Sequence, residues 1–141
     1  MKRIKFEEMP FEVPVIKFLF GDRRFYALVD SGSETTLLDK TFAKKEKIKI
    51  KINTKKVECI GLSNSQESVF IETTLDANFI STDNTMITEH IKALCADLSM
   101  VNDHLVDTYK LDSPVVAIIG SDFLTQRSAK LNFKTKTMTL Q

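Results

Sequence analysis

The sequence predicts a mainly β protein with one or two short helices, organised as one domain over residues 1–141. Short segments rich in β-branched and aromatic residues recur along the chain, and turn-forming residues separate them. From Lys47 to Ile52, lysine and isoleucine alternate strictly, which is the period of a strand with one face in water. A length of 141 residues also suits a single hydrophobic core.

The first half of the chain contains the clearest strand signals. Val13 to Phe20 and Phe25 to Val29 flank a turn candidate at residues 21–24, so they should form a hairpin. Thr36 to Leu38 should follow as a short strand. Residues 44–56 carry seven lysines, and a lysine-rich strand commonly protects the edge of a sheet from further pairing. A nucleic-acid-binding strip is disfavoured here, because no aromatic residues interleave with the lysines.

The second half is ambiguous between residues 87 and 109. Apolar residues from Ile87 to Leu105 recur at helical spacing, yet His90 to Asp97 alternates like a strand. We expect a strand to about Asp97 and then a helix from Ser99 to Tyr109, with Ser99 as its N-cap. The other expected elements are strands at Val69–Leu75 and Val115–Ile119, a short helix capped by Ser121 or Asp122 that ends at Arg127, and a final hairpin of Lys130–Phe133 and Thr137–Leu140.

Composition and charge argue against several classes of protein. A hydrophobic fraction of 43% and a charged fraction of 28% are ordinary for a soluble globular protein. The net charge of +1 gives no general attraction to nucleic acid or to an anionic membrane. No apolar run approaches the roughly 20 residues needed to span a bilayer. Glu7, Glu8 and Pro10 stand where a signal peptide needs its apolar stretch, so we expect no export signal.

Cysteine and histidine positions predict neither a disulfide framework nor a metal site. Cys59 and Cys95 are too few for a framework, and they show no zinc-ligand spacing. His90 and His104 also lack metal-ligand spacing with an acid or a cysteine. We therefore expect reduced cysteines, no cofactor and a cytoplasmic location.

The sharpest chemical signal is an apolar segment that leads directly into an acid, a hydroxyl and a glycine. The residues are Ala27-Leu28-Val29-Asp30-Ser31-Gly32-Ser33. Alone, Asp-Ser-Gly usually marks a turn in which the aspartate bonds to its own backbone. A second segment near the C-terminus, Ile118-Ile119-Gly120, changes that interpretation.

Together, the two segments resemble the retropepsin-like aspartic proteases, a family with viral and bacterial members, and the chain looks like the bacterial type. The family pattern is two apolar residues, Asp, Ser or Thr, and Gly, followed about 60 to 90 residues later by two apolar residues and Gly. The likeness is close over residues 14–39 and 114–134 and looser between them.

This resemblance implies a closed barrel or sheet subunit that acts as an aspartic endopeptidase. The implied catalytic residues are Asp30, Ser31 and Gly32, and the implied supporting residues are Ser33, Ile118, Ile119 and Gly120. Two-lobed aspartic proteases carry two such motifs and this chain carries one, so the resemblance implies a homodimer. Asp30 from each copy would activate a water molecule to hydrolyse a polypeptide substrate, without a metal or cofactor. The resemblance also implies that the Ser33 hydroxyl hydrogen-bonds the catalytic carboxylate, which would favour activity in acid.

Departures from the family pattern keep an alternative open. The family's flap hairpin is rich in glycine, whereas the matching stretch here has one, and its implied substrate-binding residues are Ile60, Gly61, Leu62 and Ser63. Ser121 stands where viral members carry an arginine, which leaves Glu34 without that partner. Residues 76–113 form a longer segment than in viral enzymes and could cover the cleft or obstruct dimerisation. The alternative is a catalytically inactive retropepsin-like module for dimerisation or binding.

Overall fold

The computed structural model describes residues 1–58, 65–111 and 113–141, and this part of the chain is mainly β, as predicted. Its strands are β1 (Lys2–Lys5), β2 (Val15–Phe20), β3 (Arg23–Val29), β4 (Leu37–Asp39), β5 (Ile50–Glu58), β6 (Ser65–Ile80), β7 (Met86–Ala96), β8 (Val115–Ile119), β9 (Lys130–Asn132) and β10 (Thr137–Leu140). Its helices are α1 (Lys40–Lys45), α2 (Ser99–Tyr109) and α3 (Ser121–Gln126). The described residues thus hold three helices rather than one or two. None of these helices has the length and apolar composition needed to span a membrane.

The larger sheet closes into a barrel. Its strand order is β2-β3-β8-β4-β7-β6-β5, and Leu19 of β2 also pairs with Asn78 of β6. Six strands therefore form a closed ring, and β5 lies outside it, paired along β6. The expected closed barrel is confirmed, and so is the expectation that the lysine-rich strand lies at a sheet edge.

The smaller sheet is made by both ends of the described chain. Its order is β1-β10-β9, with Lys2 opposite Leu140 in the antiparallel β1–β10 pair. Ile4, Met138 and Leu140 are buried, and they belong to the same hydrophobic cluster as the barrel interior. The two sheets therefore share one core.

The central strands of the barrel set the position of the predicted site. β3 runs parallel to β8, with Val29 opposite Ile119, while β4 runs antiparallel to β8, with Leu37 opposite Ile118. Because β3 and β4 lie on either side of β8, the connection at residues 30–36 has to cross the end of β8. We call this connection the Asp30 loop.

The helix caps differ from those predicted. Helix α1, which was not predicted, is capped by Asp39, whose carboxylate accepts a hydrogen bond from the backbone N of Phe42 at 3.2 Å. At α2, Leu98 occupies the cap position, and Ser99 instead donates its backbone N–H to Asp97 Oδ1 at 2.9 Å. Hydrogen bonds from Ser99 lower the pKa of the Asp97 carboxyl. Helix α3 is preceded by Gly120 at its cap, so the predicted caps at both helices were wrong.

The lysine–isoleucine alternation gives a strand that starts later than predicted. β5 begins at Ile50, and Lys47 has a positive φ of 55°. Ile50 and Ile52 are 52% and 66% exposed, so the predicted division into one wet and one buried face is wrong here. The reason is that β5 lies outside the closed ring, where the core does not cover its apolar side chains.

Candidate active site

Asp30 lies at the surface, directly after the last residue of β3. Its backbone N donates to the carbonyl of Ile119 at 2.9 Å, which fixes it beside the end of β8. Its carboxylate Oδ1 accepts a hydrogen bond from Gly32 N at 2.9 Å, and its carbonyl accepts one from Ser33 N at 3.1 Å. The carboxylate is therefore oriented by the tight turn that Asp-Ser-Gly commonly forms, while the residue stays exposed.

Gly120 allows the Asp30 loop to cross β8 at close range. A Cβ atom at this position would lie 2.7 Å from the carbonyl oxygen of Ser33 and 2.7 Å from the carbonyl carbon of Thr35. The next residue, Ser121, donates its backbone N to the Ser33 carbonyl at 2.7 Å. The glycine predicted from the second motif thus has a physical reason, which is close backbone approach.

Hydrogen bonds between Thr36 and Asp122 hold the C-terminal end of the Asp30 loop in place. Thr36 is 1% exposed, and it donates its backbone N to Asp122 Oδ2 at 3.1 Å and its hydroxyl to Asp122 Oδ1 at 2.7 Å. The same hydroxyl accepts the backbone N–H of Gly120 at 3.0 Å. This network was missed, because the sequence suggested only a helix-cap role for Asp122.

Ser33 has a different role from the one that the resemblance implied. Its hydroxyl donates to the Thr35 carbonyl at 2.8 Å, so its proton is not directed to the Asp30 carboxylate. Since a hydroxyl has one proton to donate, Ser33 stabilises the loop itself. The expected bond from Ser33 to the catalytic carboxylate is therefore wrong for this structure.

The other predicted site residues divide into exposed and buried positions. Ser31 and Gly32 are exposed on the Asp30 loop. On β8, Ile119 is buried and Ile118 is partly exposed, as expected for alternating residues of a strand. The structure thus brings Asp30 and its two neighbours together with Ile118, Ile119 and Gly120 at the ends of β3 and β8.

The predicted flap residues Ile60, Gly61, Leu62 and Ser63 lie outside the described residues, as does Cys59. The strands on either side are described, and β5 pairs with β6 in antiparallel register up to Glu58 opposite Ser65.

No protein-family model matches this sequence, and a search of curated proteins finds no match. Among solved structures, the chain is similar to the retroviral protease-like domain of Ddi1 from Leishmania major. The two chains share 12% identity over 93% of this chain and 90% of that chain, with a TM-score of 0.49. The function proposed next therefore rests on the residues of this chain.

Proposed function

We propose that this chain is one subunit of a homodimeric aspartic endopeptidase that hydrolyses a polypeptide substrate. The observation that carries the proposal is Asp30, an exposed carboxylate on a loop that is bonded to β8 and α3. An acid held in this way can meet a reactant with little reorganisation of the protein. Ser31 and Gly32 are also exposed, which leaves room for a substrate and for the loop of a second copy.

The reaction requires two carboxyl groups that share one proton. Two carboxyls about 3 Å apart cannot both ionise, so one of the pair stays protonated. The ionised group takes a proton from water, and the water oxygen adds to the peptide carbonyl carbon. The protonated group donates a hydrogen bond to the carbonyl oxygen and transfers its proton to that oxygen as the water adds, which gives a tetrahedral diol. The tetrahedral diol then breaks its C–N bond as a carboxyl proton moves to the leaving nitrogen.

A second copy has an apolar surface beside Asp30 to pack against. A groove of about 690 Å³, which we call the Pro14 groove, is lined mainly by the segment before β2 and by Phe133. The Pro14 carbonyl accepts the backbone N–H of Val29 at 2.8 Å, so the groove adjoins the end of the strand that leads to Asp30. Val13 and Phe133 in this groove are 45% and 62% exposed.

The charged side chains of the Pro14 groove also favour self-association. Glu12 and Lys136 both line it. In a two-fold dimer, the acid of each copy can face the base of the other, because the same patch is used twice. The proposed partner is therefore a second copy of this chain.

The experiment that tests the proposal is cleavage of an unfolded protein by purified wild-type chain and by Asp30→Asn. The asparagine can still accept the hydrogen bond from Gly32, so the loop should fold normally, but it cannot share a proton. We expect the cleavage rate, measured by mass spectrometry of the fragments, to fall by about a hundredfold or more.

The matched control is Asp22→Asn, which removes the same charge from the exposed turn between β2 and β3. It should cleave at the wild-type rate. Full-rate cleavage by correctly folded Asp30→Asn would contradict the aspartic mechanism. Absence of cleavage by all three proteins would favour the inactive binding module.

We also infer reduced cysteines and a cytoplasmic location. Cys95 is a half-buried free thiol in the described part of the chain. Burial raises the pKa of the Cys95 thiol, so its reactive thiolate form is scarce at neutral pH. These properties fit Cys95 as a small packed residue better than as a redox centre.

A further inference from the structure

A second large groove borders the Asp30 loop on the side of Thr35. It has a volume of about 790 Å³, and Thr35 and Asp122 form part of its wall. The rest of its lining comes mainly from the start of β5 and its preceding residues, together with β6 and β7. Three lysines line it, Lys49, Lys51 and Lys92, so we call it the lysine groove.

The acids of the lysine groove are already engaged. Asp122 bonds to Thr36 through both carboxylate oxygens, at 3.1 and 2.7 Å. Asp76 lies 2.5 Å from His90 Nδ1. Glu72, the third acid of the groove, also has an interaction with another group.

The lysines have no such partners. Among the side chains of residues 1–52, 71–111 and 113–141, no ion pair joins Lys49, Lys51 or Lys92 to an acid. All three residues are exposed. The acids and the lysines are equal in number and the acids keep their charge, but each acid already has a partner within the protein, so the three ammonium groups are the charged groups that remain to bind a ligand. A carboxylate is the group that complements them.

The lysine groove also has an apolar part. Phe20, Ile48 and Ile50 line it, and Ile50 is 52% exposed. A ligand that carries both aliphatic and acidic side chains matches this combination better than a free anion does. An extended peptide with alternating acidic and apolar side chains carries both kinds of group within a few residues.

The distance from Asp30 to the lysine groove is short compared with the length of an extended peptide. Thr35 lies five residues after Asp30, so their Cα atoms are at most about 18 Å apart. An extended peptide advances about 3.3 Å per residue and covers that distance in about five residues. A substrate whose cleaved bond lies at Asp30 can therefore reach the lysine groove.

We propose that the lysine groove binds an acidic side chain of the substrate, within about five residues of the cleaved bond. The inference rests on the proposed function, because it takes the ligand to be the substrate polypeptide. It gives the enzyme a preference for acidic segments, which the Asp30 chemistry alone does not provide.

The test measures binding rather than cleavage, in the Asp30→Asn background. The probes are two fluorescent ten-residue peptides, one alternating Glu and Leu and the other alternating Gln and Leu. Fluorescence anisotropy should show the Glu peptide binding about tenfold more tightly at low salt, with the difference shrinking as salt screens the charges. The combined variant Lys49→Gln, Lys51→Gln, Lys92→Gln should bind both peptides equally.

The matched control removes three exposed lysines from the terminal sheet and its turn, as Lys2→Gln, Lys130→Gln, Lys134→Gln. It has the same net charge as the groove variant and should keep the preference for the Glu peptide. Equal binding of the two peptides by the wild-type groove, or equal losses in the two triple variants, would overturn the inference. It is also overturned if the groove variant loses affinity for single-stranded DNA while showing no effect on peptides.

Failure of this inference and failure of the proposed function are distinguishable. A groove-dependent acidic preference in a chain that cleaves nothing supports the site and contradicts the protease. Cleavage that depends on Asp30 but shows no acidic preference contradicts the site and leaves the protease intact.

Discussion

Thr36 joins three parts of the molecule through one hydroxyl group. The hydroxyl accepts from Gly120 at the end of β8 and donates to Asp122 in α3, while Thr36 itself ends the Asp30 loop. Each partner is more than 80 residues away in the chain. The position of the Asp30 carboxylate therefore depends on a side chain that takes no part in the proposed chemistry.

Thr36→Val should lower the free energy of unfolding by about 1–3 kcal/mol, because valine has the same shape but leaves the buried Gly120 N–H without its acceptor. Urea denaturation measures this directly. Thr41→Val is the control, since Thr41 is exposed on α1 and should change stability by less than about 0.5 kcal/mol. Equal stability of the two variants would contradict the role assigned to Thr36.

At the residue scale, the sequence identified the acid and the two glycines but not the hydroxyl partners. Asp30, Gly32 and Gly120 belong to short motifs whose backbone requirements are local. The acceptor of Ser33 and the donors to Asp122 depend instead on which strands meet in space. A sequence without the β3-β8-β4 order cannot distinguish a hydroxyl that bonds a carboxylate from one that bonds the next carbonyl.

At the scale of elements, α2 is attached to the barrel by Asn102. The side chain of Asn102 accepts from Val115 N and donates to Val115 O, both at 2.6 Å, which docks the helix at the start of β8. Tyr109 at the end of α2 packs against Phe11, with ring centroids 4.9 Å apart. Helix α2 thus lies near the segment that lines the Pro14 groove. The two strands that precede it in the chain, β6 and β7, belong to the barrel.

Asn102→Ala should destabilise the fold by about 1–3 kcal/mol, since it removes both bonds to the backbone of Val115. Chemical denaturation of the purified variant provides the measurement. Met100→Ala, on the exposed surface of the same helix, should have an effect within about 0.5 kcal/mol. If Asn102→Ala is as stable as this control, the helix is held by other contacts.

Element type was more predictable than element boundaries. The strand up to residue 96 and the helix Ser99–Tyr109 were resolved correctly from overlapping patterns, because tight alternation ends where the helical spacing takes over. Helix α1 was missed, although Asp39 is a residue type that is strongly preferred at helix N-caps. The caps of α2 and α3 depended on neighbouring side chains and turns that the pattern does not specify.

At the scale of the whole molecule, the proposed dimer should form through the Pro14 groove. Both edges of β10 are occupied within the chain, by β1 and by β9, so this strand is not available to pair with a partner. Among the described residues, the exposed apolar side chains Val13 and Phe133 of the Pro14 groove offer a surface for this association.

Val13→Glu should therefore weaken the dimer, because it puts a charge into an apolar contact. Sedimentation velocity should show the dimer shifting to monomer at concentrations where the wild-type chain is paired, and specific activity should fall with it. Met100→Glu, on the 84% exposed Met100 side chain of α2, should leave the assembly unchanged. Constant specific activity at dilutions where sedimentation shows only monomer would rule out the shared-aspartate proposal.

Pairing between distant segments was the least predictable part of the fold. The final hairpin was predicted correctly. Strand β1 and its pairing with β10 were not predicted, because no local sequence pattern indicates that two strands so far apart in the chain are neighbours. The Asp30 loop was placed beside β8 only through the family resemblance. Topology of this kind is set by the packing of the whole core rather than by any one segment.

The β1–β10 pair has a consequence for the order of folding during synthesis. About 130 residues separate the two strands, and a ribosome adds them in a time on the order of ten seconds. During that interval β1 has no β10 to pair with, and an unpaired strand is prone to aggregate. Lys2, Arg3 and Lys5 give this strand three positive charges around the single buried residue Ile4. Strand β1 can therefore avoid aggregation until its partner β10 is made.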